Sequence, residues 1–245
     1  MAIELNRTSC TNSEWIGRAH CEKCHICMMM QSSDISESAF ENILQPIDHF
    51  LYPPGSILYE AGTNKEFIYS IRNGMVKLIN NTPDGTGKIM RLLGSGASIG
   101  LELLDSTNGY HHTAITVDDV DLCRIPLSTI KKINDEYPAL YKQINHQLQS
   151  QLDLADQWIS AFSTGTEQQR IIQLLLILCE FFSDKNGAFT LINHDDIAAI
   201  VGIQVKAVDR VISDFKSQNV ICKYKTKNNL YKCNTELLKK INLHS

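Results

Sequence analysis

Residues 137–162 read YPALYKQINHQLQSQLDLADQWISAF. The apolar residues Leu140, Ile144, Leu148, Leu152, Ala155, Ile159 and Phe162 recur at steps of three and four. That rhythm is one face of a helix and is close to a coiled-coil seam. The other faces carry Lys142, Gln143, Gln147, Gln149, Gln151, Asp153 and Gln157. A helix of this length would span roughly 39 Å at about 1.5 Å per residue. Helices longer than about 25 residues exceed what one globular core needs. The stretch therefore predicts a dimer helix with Ile144, Leu148, Leu152, Ala155 and Ile159 in its seam, joining a sensing half to an output half.

On the C-terminal side, Thr166 with Gln169 three residues on predicts a capping box, and the Leu- and Ile-rich run 170–182 a buried helix. Asn193 or His194 can cap a helix over Asp195–Val201, with Asp195 and Asp196 favourably placed in its first turn. Gly202 reads as a turn and Gln204–Gln218 as a second helix. Ala198, Gly202 and Val208 have the spacing a helix-turn-helix requires: a small residue at the crossing, a glycine able to take positive φ, and an apolar anchor. Val220–Cys222 and Leu230–Cys233 read as the strands of a wing whose tip is 225–229.

The charge agrees with a nucleic-acid-binding end. The chain has 245 residues and a formal net charge of −4. Residues 186–245 hold nine Lys/Arg against five Asp/Glu, which leaves a basic end of +4 on an acidic body of −8. No run of 18 or more apolar residues exists, so no membrane span is expected. The N-terminus lacks an apolar signal-peptide core, which points to the cytoplasm. No catalytic triad, acid–base carboxylate pair or phosphate loop is present, so a non-enzyme is expected.

On the N-terminal side, turn signals recur about every ten residues between 53 and 119. They separate short β-prone runs at Phe67–Ile71, Met75–Ile79, Thr113–Val117 and Val120–Ile125, the signature of an antiparallel barrel or sandwich. Leu127–Tyr137 predicts one or two helical turns, and Ser38–Asp48 a short helix with Phe40, Ile43, Leu44 and Ile47 on one face. Earlier still, Cys21, Cys24 and Cys27 stand at C-x2-C-x2-C spacing, flanked by His20 and His25. Such thiolates can face one iron–sulfur centre, and zinc accepts the same ligands. Cys10, a histidine or a distant cysteine could complete four ligands. A metal-free arm and a redox dithiol on Cys21 and Cys24, hence a thiol oxidoreductase, are the other readings. Cys179, Cys222 and Cys233 read as small buried hydrophobes.

The run Tyr52-Pro-Pro-Gly55…Leu58-Tyr59-Glu60-Ala61-Gly62…Ile68-Tyr69-Ser70-Ile71-Arg72-Asn73-Gly74-Met75-Val76-Lys77 resembles the β-roll of the Crp–Fnr family of bacterial transcription regulators. The resemblance implies an α+β chain: an N-terminal antiparallel β-roll of the cyclic-nucleotide-binding kind, a long dimerisation helix and a C-terminal winged helix-turn-helix. The expected divisions are a cysteine-rich arm (1–30), the β-roll sensor (31–136), the dimerisation helix (137–163) and the DNA-binding domain (164–245). Cyclic-nucleotide sensors carry Gly-Glu-Leu and then Arg-Ser or Arg-Thr, the arginine holding the phosphate. Here the matching residues are Gly100-Leu101-Glu102-Leu103 and Tyr110-His111-His112-Thr113, without an arginine, so no cyclic nucleotide is expected.

Two motifs resemble instead the oxygen-sensing fumarate and nitrate reduction branch. These are His20-Cys21-Glu22-Lys23-Cys24 and Leu122-Cys123-Arg124-Ile125-Pro126. The resemblance implies an oxygen-labile [4Fe–4S] cluster on Cys21, Cys24, Cys27 and Cys123. In that branch the third N-terminal cysteine stands where this chain has Met30, so Cys27 would substitute. For the output end it implies an activator that, as a homodimer, reads a palindromic double-stranded DNA operator and contacts RNA polymerase. The outward residues of the second helix, Gln204, Val205, Lys206, Asp209 and Arg210, would meet the bases, and wing lysines such as Lys225 and Lys227 the phosphates. Arg210 matches the family's base-reading arginine. Lys206 stands where a glutamate is usual and Asp209 where Ser or Gly is, with Asp209 free to pair with Lys206 or Arg210. Oxygen-responsive members carry an acidic seam residue that keeps the cluster-free form monomeric. The matching position is Ala155, which predicts dimerisation without the cluster.

Overall fold

The computed structural model describes residues 13–18, 42, 46–63, 66–81, 87–104, 109–136, 138–225 and 229–244. The chain divides into two units, Met1–Gln151 and Leu152–Ser245.

Among the described residues, the first unit contains nine strands: β1 (Glu14–Arg18), β2 (Asp48–Tyr52), β3 (Ile57–Tyr59), β4 (Phe67–Asn73), β5 (Val76–Asn81), β6 (Gly87–Leu93), β7 (Ser98–Ile99), β8 (Thr113–Thr116) and β9 (Val120–Pro126). They form two antiparallel sheets, ordered β1-β2-β9-β4-β7 and β3-β8-β5-β6. The predicted strands are all present, one or two residues longer or shorter at their ends. Alternation explains the packing. Phe50, Tyr52, Val120, Leu122, Tyr69 and Ile71 face inward with Val76, Leu78 and Ala114 of the other sheet, and all are buried. β4 and β9 are buried on both faces, as central strands are: Ile68, Ser70, Cys123 and Ile125, which alternate with that inner set, are also at most 2% exposed.

A buried charge among them is paired, as burial requires. The Arg124 guanidinium lies 4.6 Å from the centres of the Phe50 and Phe67 rings and 3.3 Å from Asp48 Oδ2. The Trp15 indole N–H donates to Asp48 Oδ1 at 3.1 Å. Asp48 is thus the first residue of β2, not the end of a helix; the predicted helix over Ser38–Asp48 otherwise falls mainly outside the described residues. A 3-10 turn, Leu101–Leu104, follows β7. After β9, α1 (Leu127–Glu136) has ten residues. That is longer than the one or two turns predicted, because Ile130 and Ile133 bury one face at 1% exposure each. The long helix is α2 (Pro138–Ser163). Proline opens it at a position where the missing N–H costs nothing.

The second unit contains the end of α2, then α3 (Glu167–Phe181), β10 (Phe189–Thr190), α4 (His194–Val201), α5 (Val205–Ser217), β11 (Ile221–Lys225), β12 (Leu230–Cys233) and α6 (Thr235–His244). The three strands form one antiparallel sheet, ordered β10-β12-β11. Thr166 caps α3 with the predicted box: its Oγ1 accepts from Gln169 N at 3.2 Å while its own N–H donates to Gln169 Oε1 at 2.8 Å. Ile171, Ile172, Leu174, Leu175 and Leu178 of α3 form the centre of this unit's core with Ile197, Val208, Ile212 and Leu238. α6 and the short strands β1 and β10 were not anticipated. Two residues cannot show an alternation. The cap of α6 was readable: Leu237 N donates to the Asn234 side chain at 3.0 Å.

Candidate nucleic-acid interface and sensor site

Local chemistry builds the helix-turn-helix. Asn193 caps α4, its Oδ1 accepting from Asp196 N at 2.7 Å, and Asp195 and Asp196 lie in the first turn. Gly202 ends α4 in the left-handed conformation, φ 68° and ψ 46°, so that both its N–H and that of Ile203 reach the Ala198 carbonyl, at 2.9 and 3.1 Å. A side chain here would cost about 1–2 kcal/mol from the backbone alone. The Arg170 guanidinium on α3 donates to the Val201 carbonyl at 2.7 Å, holding the C-terminus of α4 from a third helix. Ala198 and Val208 are buried, as predicted.

This leaves one face of α5 open. Gln204, Val205, Lys206, Asp209 and Arg210 are all exposed. Gln204 is the N-cap residue but makes no side-chain capping bond, so it does not close off the first-turn N–H groups. Asp209 pairs with neither Lys206 nor Arg210. Its Oδ1 meets His194 Nδ1 at 2.5 Å, at the start of α4. Arg210 Nη2 is 3.4 Å from Glu167 Oε2, on the first turn of α3. His194 and Glu167 thus bear on the recognition face, although 15 and 43 residues separate them from their partners. Lys223 on β11 is exposed, and Lys232 Nζ on β12 lies 4.2 Å from the centre of the Tyr224 ring. Lys225 ends β11, while Lys227 lies outside the described residues.

Of the four cysteines that the sequence offers as cluster ligands, Cys21, Cys24 and Cys27 also lie outside the described residues. Cys123 is on β9, 2% exposed, and pairs in register with His49 of β2 and Ser70 of β4. Alternation turns it away from the Val120 and Leu122 side. Beside it on that outer face, His49 Nε2 meets Asp121 Oδ1 at 2.5 Å and Arg72 Nη1 lies 2.9 Å from His49 Nε2. Sequence alone did not single out this trio, because three different strands supply it.

Inside the roll, tyrosines stack. The Tyr59 and Tyr110 ring centres are 3.7 Å apart, and those of Tyr59 and Tyr69 are 5.7 Å apart. Tyr110 Oη donates to the Phe67 carbonyl at 2.5 Å, whereas the buried Tyr59 Oη has no hydrogen-bond partner among the described residues. Burial, then the nearby Glu102 charge, raises the Tyr59 pKa well above the ordinary phenol value. Burial, then the neighbouring Tyr69, raises that of Tyr110. Gly100, at φ 82°, lies beneath this stack, and a Cβ there would come within 2.9 Å of Tyr110 Cε1.

Among the described residues, no helix is long and apolar enough to cross a membrane. The exposed seam positions on α2 are Leu152, at 57%, and Ile159, at 69%. Leu148 and Ala155 are half-buried, and nothing is described of the Ile144 side chain.

Residues 50–137 match the cyclic nucleotide-binding domain family, and residues 169–241 the Crp-like helix-turn-helix domain family. The chain is 22% identical over 209 residues to the fumarate and nitrate reduction regulatory protein of Vibrio cholerae, covering 82% of each chain. Its fold is similar to that of FixK2 from Bradyrhizobium japonicum, with a TM-score of 0.68 at 18% identity, over 79% of this chain and 96% of that one. It is also similar to a CRP-family transcriptional regulator from Thermus thermophilus, with a TM-score of 0.64 at 20% identity, over 80% of this chain and 96% of the other. A β-roll, a long helix and a capped helix-turn-helix with its wing follow one another here, and by these features and matches the chain belongs to the Crp–Fnr family of transcription regulators.

Proposed function

We propose that the chain is a cytoplasmic, homodimeric regulator whose DNA binding responds to oxygen or redox state through a [4Fe–4S] cluster on Cys21, Cys24, Cys27 and Cys123. The observation that carries this reading is the placement of Cys123: a buried thiol on a central strand, turned out of the roll core. The donor set fits. Four cysteines are the soft ligands such clusters take, and Cys123, at 2% exposure, is shielded from solvent. When bound, the cluster supplies the oxygen-labile chemistry.

The protein's own residues do the rest. β9 fixes Cys123 through its pairing with β2 and β4, and the Asp121–His49–Arg72 contacts tie those same three strands together. A change of ligation at Cys123 therefore acts on strands already linked side by side. The stretch Tyr110-His111-His112-Thr113 offers no arginine to hold a phosphate, which supports a roll that does not take a cyclic nucleotide.

For the output, α5 would enter the major groove, with Arg210 donating two hydrogen bonds to guanine and Lys206 replacing the usual acceptor. Lys223, Lys225, Lys227 and Lys232 would meet phosphates. The exposed Leu152 and Ile159, seven residues apart on α2, support a seam with a second copy. Two copies would read a palindromic operator, and activation would proceed by contact with RNA polymerase.

Anaerobic purification tests the sensor. Brown protein with iron and sulfide, whose visible absorbance bleaches in air, is expected. Colourless protein without iron or sulfide after anaerobic reconstitution would reject the cluster, and zinc in its place would identify a different signal. Selection from random duplex DNA tests the output separately, and no enrichment at low salt would reject the regulator reading.

A further inference from the structure

Asp209 stands on the open face of α5, yet its carboxylate is turned to a different helix. Its Oδ1 meets His194 Nδ1 at 2.5 Å, and His194 is the first residue of α4, 15 positions back in the chain. The His194 side chain keeps 33% of its surface open and that of Asp209 57%. Among the described residues nothing takes His194 Nε2. Three helices supply the charged groups around this ring. α4 itself carries Asp195 and Asp196 in the same turn, and Asp196 Oδ2 accepts from the Asn193 side chain at 3.0 Å. α5 carries Lys206, Asp209 and Arg210. α3, which also packs on α4, carries Glu167, 3.4 Å from Arg210, and Arg170, which donates to the Val201 carbonyl at the other end of α4. Of all these, Asp209 alone is described in contact with the ring.

We propose that His194 is a proton-linked contact to the DNA backbone: held by Asp209 at Nδ1, its ring donates from Nε2 to a phosphodiester oxygen, and does so only when it carries both protons. This rests on the reading of α5 as the helix that enters the groove, and adds to it a residue, a ligand group and a dependence on pH.

The place of α4 selects the ligand. In a helix-turn-helix the first helix crosses the sugar–phosphate backbone while the second lies in the groove, so an open ring at the start of α4 that leans on α5 is set where phosphates pass. Tautomer chemistry then supplies the proton link. A carboxylate only accepts, so the ring nitrogen that meets Asp209 bears a hydrogen. A neutral imidazole has a single N–H. With that hydrogen on Nδ1, Nε2 of the neutral ring presents a lone pair, which phosphate oxygens repel. A proton added at Nε2 makes it a donor, and the ring then lies between a carboxylate and a phosphate, two anions that favour its charge. Binding therefore takes up a proton wherever the free ring is neutral. Asp209 also fixes the ring, so less side-chain freedom is lost when the contact forms. Lys206 and Arg210 keep their charge across the same pH range and cannot produce this dependence.

The test uses the full-length protein under anaerobic conditions, with iron content checked at each pH, and an operator selected from random duplex DNA. Affinity is read by fluorescence anisotropy between about pH 6 and about pH 8, where imidazoles change charge. The expected result is an affinity that falls as pH rises, by up to about tenfold per unit for each half-site occupied. The plot of log affinity against log salt is expected to be steeper at the acid end by up to about 0.9 per half-site, the mark of one more neutralised phosphate. His194→Gln, which donates without a charge, removes the pH dependence and gives the shallower salt slope throughout. His194→Lys, charged throughout, keeps the steeper slope at both ends. Wild-type affinity and salt slope that ignore pH would overturn the proposal, as would a pH dependence that either variant retains in full. The two variants are independent, so one decides the matter where the other fails to fold. No binding at any pH in low salt would reject the DNA reading and this contact with it, a result distinct from binding that ignores pH.

Discussion

At Arg210, a side chain on the open face of α5 is held lightly by Glu167, at 3.4 Å with both groups well exposed. Such an exposed pair contributes little and breaks readily when DNA offers better acceptors. Arg210→Ala is expected to weaken specific DNA binding by about 1–3 kcal/mol and to relax base preference at one position of each half-site. Fluorescence anisotropy at fixed salt, with matched and substituted operators, measures both. The pairing of Asp209 with His194 leaves Lys206 without the acidic partner that sequence suggested, so in the proposed complex Lys206 would offer a positive donor to the bases.

His112 carries a pH prediction. Burial first, and then the Arg91 charge, lower its pKa from the ordinary value, opposed by Glu102. The unfolded chain therefore binds a proton at a pH where the folded chain does not. Stability is lost as pH falls through the unfolded value of about 6.5 toward the lower folded one, and above that window His112 contributes no pH dependence. His112→Gln is expected to flatten this part of the profile, read as the urea midpoint between about pH 5 and pH 7.5.

Among the elements, α2 carries the sharpest expectation. Leu152 and Ile159 leave more than half their surface open, which is unusual for large apolar residues repeated on one helix. Ala155 lies between them, where an acidic residue would set two like charges against each other across a seam. We expect dimeric apoprotein at micromolar concentration by sedimentation, and monomer from Ile159→Glu. Monomeric wild-type apoprotein would instead return assembly to control by the cluster.

For the whole molecule, the β-roll and the helix-turn-helix belong to separate units, and the basic surplus lies within the second, at residues 186–245. A basic end on an acidic body predicts DNA affinity that falls steeply with salt. Cys123→Ser is expected to abolish cluster reconstitution, measured as iron and sulfide per chain, while leaving binding at low salt within a few-fold of the wild-type apoprotein. Equal loss of both would make Cys123 a structural residue of the roll.

Much of this architecture was legible along the chain, because it rests on short-range rules. The period of 137–162, the Thr166–Gln169 box, the Asn193 cap and Gly202 each specify a local backbone state within a few residues, and each is present in the structure. Strand runs between turn residues were readable for the same reason. What the sequence could not determine lies in contacts across the fold: Asp209 with His194, Arg210 with Glu167, Arg124 between two phenyl rings and against Asp48. Each joins residues 15 to 76 positions apart, whose meeting depends on how strands pair and helices pack. Local periodicity therefore set the elements and their order. Tertiary packing alone decided which charges are paired, which rings stack and which face of α5 is left open, because those depend on distances that no spacing in the chain encodes.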